Sequence, residues 1–175
     1  MQQTLENLRA RREDERGFTL IELMVVVLII AILIAIAIPT FLGAKSRAQD
    51  KAAQSSLRNA LTNAKGIYTD TDSYTSATVA ALAAAEPSLT FQTTVSTKAK
   101  EVDVDNQATY IVMTAKSASN VCFAIADVAA GPGTIFMNLG TSTCTPAQAL
   151  TQAALPTTVP TTANASSGGG WAQAW

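Results

Sequence analysis

The hydrophobic pattern divides the chain into an apolar run, a periodic helical segment, several alternating segments and an uncharged tail. Residues 23–38 are all apolar, and the apolar character extends over residues 18–44 if Thr19, Glu22, Pro39 and Thr40 are tolerated. About 20 helical residues cross a bilayer core, so this run predicts a membrane span. Pro39 removes one helical hydrogen bond, to the Ala35 carbonyl, and Gly43 loosens the backbone four residues later; the pair predicts a kink or a locally melted stretch. From Lys45 the composition changes but the helical period continues. Ala53, Leu57, Ala60, Leu61, Ala64 and Ile67 recur at three- and four-residue steps, while Lys51, Gln54, Arg58 and Lys65 fall mainly on the other side. This helix is expected to end near Tyr68, before the turn cluster at residues 69–73. Within that cluster, Asp70 and Asp72 lack the glycine and distal glutamate of a calcium loop and read as cap and turn chemistry.

Residues 76–85 are alanine-rich and predict a short helix stopped by Pro87. Strand signals follow. Leu89, Phe91, Thr93 and Val95 alternate, as do Val102 and Val104 more weakly; residues 110–115, 121–128 and 134–139 are further β-prone segments. Gly131-Pro132-Gly133 predicts the turn of an antiparallel hairpin between the last two. The amphipathic helix needs a cover, and a sheet from the same chain supplies it. The fold class predicted is α+β, a long N-terminal helix packed on an antiparallel sheet of about four strands. Residues 151–170, rich in Ala, Thr, Pro, Ser and Gly, read as a flexible or extended tail that leads to Trp171 and Trp175. The two tryptophans suggest subunit packing or docking rather than ligand binding. Asn164-Ala165-Ser166 is formally a glycosylation sequon.

Composition narrows the chemistry. A length of 175 residues suits one domain with a core, and a net charge of −1 argues against a dedicated nucleic-acid binder. The chain has no histidine, and with it go the commonest general base and metal ligand. No glycine-rich phosphate loop, metal cluster or nucleophile–base pair emerges, so no enzyme activity and no cofactor are expected. If the C-terminal part is exported, the two cysteines, Cys122 and Cys144, read most simply as one disulfide; two separate buried thiols are the alternative. Such a bridge would contribute about 3 kcal/mol.

Glu22 raises the sharpest question, because a carboxylate inside an apolar run costs a few kcal/mol in a bilayer. An ordinary secretory signal, with cleavage near Ala35-Ile36-Ala37, leaves it unexplained. Charge does not decide the topology: Arg9, Arg11, Arg12 and Arg16 precede the run, and Lys45, Arg47, Lys51 and Arg58 follow it. Glu22 lies four residues after Phe18, one helical turn or about 6 Å along the axis. Cleavage after Gly17 would make the Phe18 amine a cation within reach of this carboxylate or of a neighbour's. The first helical turn also favours negative charge.

Gly17-Phe18-Thr19-Leu20-Ile21-Glu22 resembles the processing signal of type IV prepilins, and Pro39 matches the later helix of many type IVa pilins. The resemblance covers roughly residues 16–68. It implies a pilin fold divided into a leader at 1–17, a membrane and filament-core helix at 18–44, a head at 45–150 and a tail at 151–175. It implies that prepilin peptidase cuts between Gly17 and Phe18 and N-methylates Phe18. Glu22 is then expected to pair with the Phe18 amine of another copy in a homopolymer. The remaining partners are membrane lipid before assembly and an inner-membrane assembly platform with its ATPase. The expected location is the inner membrane, then a surface filament serving attachment, twitching motility or DNA uptake. Cys122 and Cys144 resemble the ends of the disulfide-bounded loop of many pilins. Alternatives are a minor pilin, a type II secretion pseudopilin, and a membrane-anchored binding module that never polymerises. The absence of any acidic residue after Asp127 argues against a calcium-binding pseudopilin.

Overall fold

The computed structural model describes residues 18–175 other than 142, 162, 163 and 167. The chain divides into two units, Met1–Gly43 and Ala44–Trp175. Helix α1 (Leu20–Thr71) contributes to both, and among the described residues it is the one helix long and apolar enough to cross a membrane. It runs three residues past the expected end at Tyr68. Thr69 and Thr71 donate their hydroxyls back to the Lys65 and Ile67 carbonyls. Asp72 then closes the helix in the left-handed region, with φ 54° and its N–H donated to the Tyr68 carbonyl at 2.7 Å.

In the C-terminal unit the helix is followed by a 3₁₀ turn (Tyr74–Ser76) and α2 (Val79–Ala85), which Thr78 caps by accepting the Ala81 N–H. Then come β1 (Thr90–Gln92), β2 (Glu101–Asn106), β3 (Tyr110–Lys116), β4 (Cys122–Val128), β5 (Gly133–Gly140) and α3 (Pro146–Gln152). The sheet has five strands in the order β1-β2-β3-β4-β5. Pairing is antiparallel from β2 to β5, and β4 and β5 form the hairpin expected at 131–133. The departure is β1, which pairs with β2 in parallel and is far shorter than the alternation at 89–95 predicts. Its continuation turns away because Gln92 bonds the Thr94 and Val95 carbonyls. Ser96 is then drawn in, donating to the Glu101 carbonyl and accepting the Lys116 N–H.

Both faces of the sheet are buried. On one, Ala53, Leu57, Ala60, Leu61 and Ala64 of α1 pack on Val102, Val104, Ile111, Met113, Phe123 and Ile125. On the other, Val112, Ala124, Ile135, Met137 and Leu139 lie under Ala149 of α3 and Trp171 of the tail. Double coverage explains why β3 and β4 read as continuous rather than alternating apolar runs. Gln54, expected on the solvent side of α1, is buried and accepts from Lys51.

The tail docks on its own sheet. Ala172 exchanges two backbone hydrogen bonds with Phe136 on the β5 edge, at 2.8 and 2.9 Å. Trp175 donates to the Met137 carbonyl, stacks edge-on against Phe123 and Phe136, and lies under the Arg58 guanidinium at 4.8 Å. An edge strand that would otherwise offer open backbone groups is thereby paired.

A polar knot fixes α1 on the sheet. Lys65 pairs with Asp127 of β4 at 2.7 Å and donates to Thr134 of β5; Thr134 and Tyr74 both donate to the same carboxylate. Burial first, and then the hydrogen bond to Asp127, hold the Tyr74 phenol well above its ordinary pKa. Asp127→Ala leaves Tyr74, Lys65 and Thr134 without their acceptor. It should lower stability by about 3 kcal/mol in urea unfolding of the full chain in detergent micelles. A loss under about 0.5 kcal/mol would show that the knot is incidental.

Candidate functional site

The helix start is where the sequence concentrates its chemistry. Thr19 occupies the N-cap of α1 and Glu22 the third helical position, and the two residues satisfy each other. The Glu22 carboxylate accepts the Thr19 N–H at 2.8 Å and the Thr19 hydroxyl at 2.7 Å, and the Glu22 N–H donates to Thr19 Oγ1 at 3.3 Å. This reciprocal capping box consumes helix-end donors that have no other partner. The Thr-x-x-Glu spacing ahead of an apolar run is its sequence signal. Among the described residues Glu22 therefore meets only neutral donors, all from Thr19. Phe18 lies beside it and is 80 % exposed. Phe18, Ile21, Glu22, Val25 and Val26 line one shallow groove along the helix. Gly17 and the leader expected at residues 1–17 lie outside the described residues.

Further along, α1 stays α-helical through Pro39 and Gly43. The expected melted stretch is absent from the single chain. Thr40 donates its hydroxyl to the Ile36 and Ala37 carbonyls at 3.3 and 2.9 Å, in the turn that the proline weakens. From Leu20 to Leu42 the large apolar side chains are 45–73 % exposed, which is the surface of a helix made for a lipid or helical environment.

Cys122 and Cys144 are joined in a disulfide, with Cα atoms 5.4 Å apart. It opens at the first residue of β4, spans the β4–β5 hairpin and ends just before α3. Ser96 donates its N–H to the Cys144 carbonyl at 3.1 Å, so the bridge also anchors the crossover between β1 and β2.

A second polar site, not anticipated from the sequence, lies on the sheet face opposite α1. Asp103 of β2 is only 3 % exposed, and burial pushes its carboxyl up to about 7; the Val104 N–H offsets part of this and the nearby Asp105 charge adds to it. The alternation of acids in Glu-Val-Asp-Val-Asp places three carboxylates on one face, but nothing in the letters says that this face is covered.

A family model for the prokaryotic N-terminal methylation motif matches residues 13–38. No curated protein and no solved structure matches the chain. The motif is the signal of type IV pilins and pseudopilins, and a long N-terminal helix with a sheet fits the pilin architecture. It implies processing by prepilin peptidase and assembly into pilus-like polymers, and with the apolar helix it fits membrane anchoring before assembly.

Asp103 makes stability depend on pH. Its folded pKa is raised above the ordinary 3.8, so the folded chain holds a proton that the unfolded chain has released between about pH 4 and 7. The stabilisation is full below about pH 4 and is lost as the pH rises through 7. The unfolding free energy should fall by on the order of 3 kcal/mol across this window. Asp103→Asn should flatten that profile; an unchanged slope in the variant would assign the pH dependence elsewhere.

Proposed function

We propose, from the pilin and pseudopilin signal that the chain carries, that it is an abundant structural subunit of a type IV pilus. Prepilin peptidase cuts between Gly17 and Phe18 and N-methylates Phe18. The apolar part of α1 holds the subunit in the inner membrane until an assembly platform and its ATPase draw it into a filament, where these helices bundle in the core. Surface attachment, twitching motility or DNA uptake are the roles such a filament serves.

The observation that carries this reading is the state of Glu22. The carboxylate sits at the third position of an apolar helix, one turn after Phe18, and its partners are neutral donors from Thr19. A capping box satisfies hydrogen bonds but does not neutralise charge. An incoming N-methylated amine from a neighbour supplies the missing charge and leaves the Thr19 donors in place. Subunits in the wrong axial register bury the carboxylate without that amine, which typically costs several kcal/mol. Pairing therefore selects the register. Pro39 and Gly43 weaken the helix at the end of the apolar stretch and permit local melting as subunits pack.

Mass spectrometry of protein from sheared surface fibres should find the mature chain starting at N-methylated Phe18; residues 1–17 still attached would sink the polymer reading. Charge and capping are separable by substitution. Glu22→Gln keeps acceptors for Thr19 but loses the charge, so it should accumulate as membrane-inserted monomer with fibres reduced at least about tenfold. Normal piliation in Glu22→Gln would reduce Glu22 to a helix cap.

A further inference from the structure

On the sheet face opposite α1, a cleft of about 460 Å³ opens between β2, the residues just after it and the start of α3. Asp103 and Asp105 stand two residues apart in it, on the same face of β2. Asp103 is nine-tenths buried and meets no cation: the ion pairs among the described residues are Lys65–Asp127 and Lys98–Glu101. Its cross-strand partner on β3 is Thr114, fully buried on the same face, whose hydroxyl has no hydrogen-bond partner. Asp105 receives only the Gln107 amide, at 2.9 Å. Two carboxyl groups lining an open cleft, with an orphaned hydroxyl on the neighbouring strand, make a receptacle for a cationic group that would hold both of them ionised.

The same chain carries exposed cations without a carboxylate partner. Lys45, Arg47 and Lys51 follow one another along α1, exposed and in no ion pair among the described residues. Arg47 and Lys51 share a face one turn apart, Lys51 donates only to Gln54 among the described residues, and Asp50 accepts from Ser119, so this segment of α1 stays net positive. This part of α1 belongs to the helix that packs on the Val102, Val104 and Met113 face, whereas Asp103 and Thr114, on alternate positions, point to the other face. A chain cannot close this pair with itself. Two different, complementary patches on opposite faces can make a heterologous, head-to-tail contact, the kind that extends into an open filament where its rotation does not close into a ring.

We propose that the Asp103–Asp105 cleft of one copy receives a basic side chain from the 45–51 segment of a neighbouring copy, docking successive heads electrostatically in the polymer. The proposal rests on the filament reading above and adds a second contact, distinct from the helix core. Charge reversal tests it with full-length chain in cells that carry the assembly machinery. Asp105→Lys, at a half-buried position that spares Asp103, should cut sheared fibre yield about tenfold, as should the triple variant Lys45→Glu, Arg47→Glu, Lys51→Glu. Combining all four substitutions should restore fibres to within about threefold of the wild type. Wild-type fibre yield from Asp105→Lys would overturn the proposal. So would failure of the combination to recover while each variant accumulates as processed, folded membrane protein. Loss of wild-type fibres on chelation of divalent cations, with the triple variant unaffected, would assign the cleft to a metal ion and overturn it too. Absence of fibres from the wild type would overturn the filament reading itself, and this inference with it.

Discussion

From Leu20 to Leu42 the helix presents large apolar side chains that remain 45–73 % exposed in the single chain. Burying each one fully is worth about 1.5–3 kcal/mol, so this surface must be met by lipid, by other helices or by both in turn. Apolar burial has no direction, however, and two such helices would slide past each other with little preference. In the filament proposed above, the Glu22 carboxylate supplies the missing direction. It sits at one end of the surface, already oriented by Thr19, and tolerates burial only opposite a cation. On this proposal hydrophobic area drives association, and one charge fixes where it stops.

The C-terminal unit is cross-linked at three places. The Lys65–Asp127–Tyr74–Thr134 knot ties the helix to two strands. The Cys122–Cys144 bridge ties the hairpin to the segment before α3. The tail pairs with the β5 edge and wedges Trp175 between α1 and the sheet. None of these elements relies on the apolar run, so the unit has its own core on both sheet faces.

Much of this was legible in the residues. The membrane-length run, the Gly17-Phe18 and Glu22 spacing, the amphipathic continuation of α1, the hairpin at 131–133 and the paired cysteines all depend on local pattern or composition. What escaped depends on partners distant in the chain. The parallel pairing of β1 follows from Ser96 being pulled toward β2, β3 and Cys144, which no local alternation encodes. Asp127 reads as an acid in a strand until Lys65, 62 positions earlier, is seen beside it. The uncharged tail reads as flexible because low complexity hides the two hydrogen bonds between Ala172 and Phe136. The Thr19–Glu22 box is the exception. Its spacing is local and plain, but a carboxylate beside a membrane span directs attention to a distant cation rather than to its nearest donor.

The central claim is that Glu22 keeps the neutral donors of its own chain and gains a charged one from the next. A structure of the assembled fibre at side-chain resolution tests this most directly. The account predicts the Glu22 carboxylate within about 4 Å of the N-methylated Phe18 nitrogen of an adjacent copy, with the Thr19 contacts retained. A fibre in which that carboxylate faces only its own Thr19, or solvent, would contradict it.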